Sequence, residues 1–130
     1  MDQGEQHAVP ATVLVVEDDA AVAKYMTFVL EDAGYNVALA SNGLDALRYL
    51  ETHPPPSLIL LDLIMPIING WAFRAAQQRD SMFAAIPVVI MSAGTNDEIH
   101  ARELGVAAYL AKPMTPDTLV ATVARYCPGC

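Results

Sequence analysis

Cysteine is scarce in this chain. The 130 residues include two cysteines, Cys127 and Cys130, which form a Cys-Pro-Gly-Cys motif at the end of the sequence. Two ligands do not complete a zinc site, and a redox motif normally opens a helix after a strand. The motif is therefore open to three interpretations: a redox pair, half of a zinc site or a chance occurrence at the chain end.

Basic residues are also few. Seven lysines and arginines stand against fifteen aspartates and glutamates, which gives a net charge of −8. Such a field repels nucleic acid and anionic membranes. We therefore expect no direct nucleic-acid binding and no membrane attachment by this domain.

Long apolar runs are missing as well. The longest one is interrupted by Asp62 and Pro66, and the first ten residues lack the basic and apolar parts of a signal peptide. The sequence thus predicts a soluble, cytoplasmic protein.

Apolar residues are nonetheless plentiful. They make up 54% of the sequence, and charged residues make up 17%, so one domain of ordinary size can bury a proper core. We predict a disordered lead-in over residues 1–10, one folded domain over 11–127 and a short tail over 128–130. No internal repeat or low-complexity segment interrupts this organisation.

Short apolar runs alternate with helical patterns along the chain. The predicted strands are Thr12–Val16, Asn36–Ala40, Ser57–Leu61, Pro87–Met91 and Ala107–Ala111. Their uniform apolarity is typical of strands that are covered on both faces. Alternation with five helical segments predicts a doubly wound α/β fold with a five-stranded parallel sheet. Among the common forms of that fold we expect the flavodoxin-like (βα)5 form, in which the strand order is 2-1-3-4-5.

Helix signals separate the strands. Gly34 offers a helix stop, Ser41-Asn42-Gly43 and Thr115-Pro116 offer N-caps, and a third helix is predicted over about Trp71 to Arg79. Thr95 and Glu98 have the spacing of a capping box for a fourth helix that ends at Gly105.

Polar side chains follow the strands where each one ends. Glu17, Asp18 and Asp19 follow the first strand, and Asp62 follows a run that is otherwise apolar. In a doubly wound sheet these ends share one edge, where several carboxylates would repel one another. A hard divalent cation relieves that repulsion, and Mg²⁺ prefers carboxylate oxygens and often shares them with phosphate.

Two further strand ends complete the pattern. Ser92 follows the fourth strand and can donate a hydroxyl hydrogen bond, while Lys112 follows the fifth and can pair with Asp62 or with a phosphoryl oxygen. This leaves Asp62 as a candidate nucleophile, since a carboxylate can form an acyl phosphate.

Ordinary structural roles also account for each residue taken alone. Asp62 and Ser92 could cap turns, and Asp19 has the position of a helix N-cap. Lys112 could be a solvated surface lysine, and Tyr109 could be a core aromatic with its hydroxyl at the surface. The histidines are scattered, and no metal or phosphodonor role is assigned to them.

The motifs in combination resemble those of a known family. They are Val-Val-Glu17-Asp18-Asp19, Leu-Asp62-Leu-Ile-Met65-Pro66 followed by Asn69-Gly70, Ser92-Ala93, and Tyr109-Leu-Ala-Lys112-Pro113. Together, over about Thr12 to Tyr126, they resemble the receiver domain of two-component response regulators.

The resemblance implies a set of roles. Asp62 would accept a phosphoryl group from a phosphohistidine of a histidine kinase or phosphotransfer protein. Glu17, Asp18, Asp62 and the backbone carbonyl of Ile64 would hold Mg²⁺, with Mn²⁺ as a possible substitute. The domain would be a regulatory phosphoacceptor that assists its own phosphorylation and slow dephosphorylation, rather than an enzyme.

The resemblance also implies a switch. Ser92 would move toward the phosphoryl group, Tyr109 would follow, and Lys112 would be joined to Pro113 by a bond that is typically cis. The output would be a change in the face formed by the predicted fourth helix, the fifth strand and the predicted fifth helix. That face would control a partner or output domain, or pair with a second copy.

The sequence departs from the family pattern at two positions. Glu17 stands where aspartate is more usual, and its longer side chain could reach a metal through water. Asn69 stands where aspartate usually precedes the loop glycine. Ile64 and Gly94, at positions that influence hydrolysis in this family, cannot orient water with their side chains, which predicts a slowly decaying phosphoaspartate.

Two other functions use the same residues. One is a binding module of this fold that is never phosphorylated. The other is a Mg²⁺-dependent phosphatase that forms an aspartyl intermediate, although such enzymes usually carry an acid two residues after the nucleophile, where this chain has Ile64.

Overall fold

The fold is a five-stranded sheet with helices on both faces. A computed structural model describes residues 11–63, 69–93, 102 and 105–127. Its strands are β1 (Thr12–Val16), β2 (Asn36–Ala40), β3 (Leu58–Asp62), β4 (Val88–Ser92) and β5 (Ala108–Ala111). Its described helices are α1 (Ala20–Asp32), α2 (Gly43–Thr52), α3 (Gly70–Arg79) and α4 (Pro116–Tyr126), the last being the fifth of the predicted helices.

The sheet is parallel throughout. Its strand order is β2-β1-β3-β4-β5, which confirms the predicted topology. At its carboxyl edge, Val16 aligns with Leu61, and Asp62 aligns with Met91. The three central strand ends therefore lie side by side.

Successive strand residues enter two different cores. Val13, Val15, Leu58 and Leu60 contribute to one buried cluster, which also receives residues of α1 and α4. The alternate residues of the same strands enter a second cluster with residues of α2 and α3. The continuous apolar runs follow from this arrangement, since both pleat faces of the central strands are covered.

Side-chain caps begin all four described helices. The N-caps are Asp19, Asn42, Asn69 and Thr115, and each accepts a hydrogen bond from a backbone N–H in the first turn. After α1, Gly34 has φ +99°, which an L side chain rarely adopts. The predicted N-caps at Asp19, Asn42 and Thr115 are confirmed, as is the predicted stop at Gly34. The predicted capping box of Thr95 and Glu98 lies outside the described residues.

Some predicted boundaries are wrong by one residue. The third and fourth strands begin and end one residue later than predicted, the fifth begins one residue later, and α3 begins one residue earlier. Backbone pairing does not depend on side-chain polarity, so Asp62 and Ser92 continue their strands as partners of Met91 and Ala111. Pro87 has no N–H to donate to a ladder, which agrees with its place outside β4.

Helix α3 carries a buried polar network. Arg74 Nη1 donates to Gln77 Oε1 over 2.7 Å, and Arg74 Nη2 donates to the carbonyl of Gly105 over 3.0 Å. Gln77 Nε2 donates to the carbonyls of Phe83 and Ile86. The network therefore ties α3 to the segment before β4 and to the turn before β5.

Cys127 ends α4 as its C-cap. It is buried in the first core cluster and is disulfide-bonded, while Cys130, the only other cysteine of the chain, lies outside the described residues. The predicted lead-in, the predicted tail and most of the predicted fourth helix also lie outside the described residues. Within the described parts of the chain, no helix is both long and apolar enough to span a membrane.

Candidate functional site

Polar residues from several strand ends meet at the carboxyl edge of the sheet. Glu17 follows β1, Asp62 is the last residue of β3, Ser92 is the last residue of β4, and Lys112 follows β5. Glu17, Asp62 and Ser92 are buried. The structure thus brings together the side chains of strands that are distant in sequence.

Three carboxylates form a compact group there. One ligand oxygen from each of Glu17, Asp18 and Asp62 lies within 4.8 Å of the others. Glu17 and Asp62 are 3% and 6% exposed, whereas Asp18 is exposed. Two buried carboxylates and one solvent-exposed carboxylate suit a hard cation that keeps part of its water shell. The residues therefore fit a divalent cation.

Lys112 forms ion pairs with two of these carboxylates, those of Glu17 and Asp62. Its Nζ lies 2.5 Å from Glu17 Oε1 and 3.2 Å from Asp62 Oδ2. Sequence reasoning paired Lys112 with Asp62 and missed Glu17 as its nearer partner. The longer side chain of glutamate is the sequence signal for this contact, since it brings the carboxylate within reach of Lys112.

Burial and charge change the pKa of two groups at this site. Burial raises the pKa of the Glu17 carboxyl; the Lys112 hydrogen bond opposes that shift, and the negative charge of Asp62 adds to it. Burial alone would lower the pKa of Lys112, but its contacts with Glu17 and Asp62 outweigh burial and raise it. The site therefore holds its lysine charged against two carboxylates in a poorly solvated place.

Asp19 lies beside the cluster and has a structural role. Its side chain accepts from the backbone N–H groups of Ala21 and Val22, and its own N–H donates to Glu17 Oε2 over 3.1 Å. The predicted N-cap is confirmed. The same turn orients Glu17, because Oε2 is held by the backbone while Oε1 contacts Lys112.

The carbonyl of Ser92 joins the ends of β4 and β5. It accepts from the Tyr109 hydroxyl over 3.2 Å and from the Lys112 backbone N–H over 2.9 Å. Tyr109 is partly buried against the second core cluster. Ser92 and Tyr109, singled out as switch residues, are thus in direct contact.

Other predicted features have separate outcomes. The Lys112–Pro113 bond is cis, as expected. Asn69 accepts from the Ala72 backbone N–H over 3.0 Å, so asparagine preserves the turn at this position. The predicted Ile64 carbonyl ligand and Gly94 lie outside the described residues.

Comparisons with known proteins agree with this geometry. The family model for the response regulator receiver domain matches residues 13–124. Response regulator Rre1 of Synechocystis sp. is 37% identical over 119 residues, which cover 89% of this chain and 51% of that protein. The chain therefore spans about half the length of the curated relatives it matches.

Solved structures show the same fold. A putative response regulator from Chloroflexus aurantiacus superposes with a TM-score of 0.86 at 30% identity, covering 91% of this chain and 98% of the other. The Mn²⁺-bound form of response regulator Rcp1 superposes with a TM-score of 0.80 at 27% identity, covering 93% and 97%. The strand order, the acidic cluster and the family match agree: the chain belongs to the response regulator receiver domain family, whose members are regulatory phosphoacceptor domains of two-component systems.

Proposed function

We propose that Asp62 is the phosphoacceptor of this receiver domain. The observation that carries the proposal is the position of its carboxylate, which lies within 4.8 Å of two further carboxylates and 3.2 Å from the Lys112 ammonium. A carboxylate oxygen of Asp62 would attack the phosphorus of a phosphohistidine. A P–O bond would form, the P–N bond would break, and the imidazole would leave with the electron pair.

The donor is proposed to be a sensor histidine kinase or a histidine phosphotransfer protein. Receiver domains as a family imply such a partner, and the net charge of −8 disfavours direct contact with nucleic acid. We propose a cytoplasmic location for the exchange, in keeping with the sequence-based expectation.

The cation is proposed to be Mg²⁺, with Mn²⁺ as a substitute. Glu17, Asp18 and Asp62 would hold it, together with the carbonyl of Ile64. The existence of a Mn²⁺-bound form of response regulator Rcp1 supports a divalent ion in this fold. When bound, the ion would neutralise phosphoryl oxygens during transfer. Lys112 would support it by exchanging part of its contact with Asp62 for a phosphoryl oxygen.

Ser92 and Tyr109 are proposed to turn the modification into a signal. A phosphoryl group on Asp62 would attract the Ser92 hydroxyl, and the shared carbonyl of Ser92 would pass the change to Tyr109 and Lys112. Three parts of the chain form one face: strand β5, helix α4 and the segment that follows β4. This face would then favour a second arrangement. That face would control a partner or an output domain, or pair with a second copy.

The phosphoryl group is proposed to decay slowly. Apolar Ile64 and side-chain-free Gly94 cannot align a water molecule for attack on phosphorus. Hydrolysis of the phosphorylated product would therefore be slow. The domain would assist its own phosphorylation but would not act on an external substrate.

Acetyl phosphate tests the proposal directly. The chain is incubated with acetyl phosphate and Mg²⁺, and intact mass is recorded together with oligomeric state. We expect a gain of one phosphoryl group, its loss in Asp62→Ala, and its retention in Asp32→Ala, which changes an exposed aspartate at the end of α1. Absence of any gain would favour an unphosphorylated binding module, and turnover of p-nitrophenyl phosphate would favour a phosphatase.

A further inference from the structure

The Cys-Pro-Gly-Cys motif at the end of the chain takes no part in the phosphoacceptor site. Cys127 is the C-cap of α4, and its N–H donates to the carbonyl of Val123 over 2.9 Å. Cys127 is disulfide-bonded, and Cys130 is the only other cysteine in the sequence. The bond therefore joins the buried end of α4 to a cysteine three residues later in the chain, which is the Cys-X-X-Cys spacing of redox-active pairs.

Helix α4 is held on the sheet by apolar packing rather than by this bond. Leu119 and Val123 are fully buried, and Cys127, which follows them at the same helical spacing, is 6% exposed. All three belong to the first core cluster. In the chain-entropy account a disulfide stabilises a fold less when it closes a shorter loop, and this loop spans only 127–130. The bond should therefore act mainly on the last turn of α4.

The place of the pair in the fold indicates that it responds to thiols rather than acting on other proteins. In catalytic pairs the positive N-terminal end of a helix activates the reactive cysteine. Here the pair follows the C-terminal end of α4, where that activation is missing. A reduced Cys127 would remain a small apolar side chain in the core cluster, so the fold accommodates both the bonded and the reduced form.

The cellular compartment favours a reversible bond over a permanent one. Phosphoryl transfer is proposed to take place in the cytoplasm, where glutathione and thioredoxin keep thiols reduced. Disulfides that do form in the cytoplasm of mesophiles are usually transient and report redox conditions. A bond at Cys127 is therefore expected to form and break as those conditions change.

We propose that Cys127 and Cys130 form a reversible redox site whose reductant is a dithiol. A thiolate of the dithiol attacks the disulfide, and because Cys127 is buried, the attack falls on the other sulfur of the bond. The sulfur of Cys127 leaves with the electron pair and takes up a proton. The second thiol of the reductant then attacks the mixed disulfide and releases Cys130, which takes up the second proton. Two electrons have passed to the chain, and the reductant has become a disulfide.

The redox state would set how firmly the last turn of α4 is held. In the bonded form the turn has a covalent restraint as well as the hydrogen bond from Cys127 to Val123, and in the reduced form the hydrogen bond alone remains. Helix α4 begins beyond the carboxyl edge of the sheet and leads away from it, so its last turn is remote from Asp62. The redox site therefore goes beyond the phosphoacceptor function and uses none of its residues.

Thiol counting by intact mass tests the site. The folded chain is treated with dithiothreitol, then with oxidised glutathione and then with dithiothreitol again, and after each step its thiols are trapped with N-ethylmaleimide in urea. We expect two adducts, then none, then two. Hydrogen exchange read by mass spectrometry should show the amides of 124–127 exchanging about tenfold faster in the reduced form, while those of β3 stay unchanged.

Cys130→Ser is the matched variant, because it prevents the bond and leaves the buried Cys127 in place. We expect one adduct after every step, and exchange at 124–127 that equals that of the reduced chain and does not respond to dithiothreitol. None of these measurements needs a phosphoryl group. A failure of the phosphoacceptor function is therefore distinguishable from a failure of the redox site.

Three results would overturn the proposal. The first is two adducts, or a stable glutathione adduct, after oxidised glutathione, since the bond would then not form in the folded chain. The second is a bond that dithiothreitol breaks only when urea is present during the reduction, which would make it a permanent structural bond. The third is equal exchange of the 124–127 amides in the bonded and reduced forms.

Discussion

Removal of the Lys112 charge should destabilise the metal-free domain strongly. At an effective dielectric constant of about 20, opposite charges at the 2.5 Å and 3.2 Å separations of Lys112 from Glu17 and Asp62 attract by roughly 5–7 kcal/mol each before desolvation is subtracted. Lys112→Met leaves both carboxylates buried without their lysine. Because the Lys112 side chain keeps 19% exposure, we expect a loss near the lower end of the usual range, about 3 kcal/mol.

Urea denaturation with a chelator present measures this loss. Lys24→Met is the matched control, because Lys24 is an exposed lysine with no ion pair in the described part of the chain, and it should change the free energy of unfolding by less than about 0.5 kcal/mol. Mg²⁺ should stabilise Lys112→Met, since the ion would restore positive charge beside Glu17 and Asp62. Glu17→Gln added to Lys112→Met should recover part of the loss, because one buried charge is removed.

The variant should also respond to pH. Burial already raises the folded-state pKa of Glu17 above its usual value of 4.5, and loss of the lysine removes an opposing influence. A raised folded-state pKa means that the folded chain binds the proton more tightly than the unfolded chain. The contribution of Glu17 protonation to the free energy of unfolding therefore grows as pH falls from 7 toward 4.5. A Lys112→Met chain as stable as the unmodified chain, and unaffected by Mg²⁺, would refute the reasoning.

Four other changes have defined outcomes. Asp19→Ala should cost about 1 kcal/mol in urea denaturation, through loss of the N-cap of α1; an unchanged midpoint would contradict this. Gly34→Ala should reduce the free energy of unfolding by about 1–2 kcal/mol through backbone strain at φ +99°. No steric clash adds to this loss, because an added Cβ would meet nothing within 4 Å. The unmodified chain should lose stability as pH rises above 10.5. Because the folded-state pKa of Lys112 is raised, the stabilisation by its charge is complete below 10.5 and is lost as pH rises through the folded-state pKa. A free energy of unfolding that stays constant over this alkaline range would contradict the prediction. Ile64→Asn should shorten the lifetime of the phosphorylated chain in an intact-mass time course, and equal lifetimes would argue against the water-orientation account.

The architecture followed from the sequence because its signals are local. Uniformly apolar runs predict strands that are covered on both faces, and Asp19, Asn42 and Thr115 are short polar residues placed directly before helices. The errors at the strand ends have one origin. Side-chain polarity suggested that β3 and β4 stop before Asp62 and Ser92, whereas the backbone ladder includes both.

Contacts between distant residues were harder to predict. That Asp62 and Lys112 share an edge follows from strand order, but the nearer pairing of Lys112 with Glu17 depends on side-chain lengths and on the turn that holds Glu17. The Arg74–Gln77 network has no sequence signal of its own, since three of its four acceptors are backbone carbonyls.

The Gln77 side chain has a consequence for how β4 can respond. By binding the carbonyls of Phe83 and Ile86, it anchors the chain just ahead of that strand. A strand secured at its start can change at its far end mainly by bending or by side-chain rotation. A disturbance at Ser92 should therefore spread laterally into β5, and the opposite rim of the sheet should stay still.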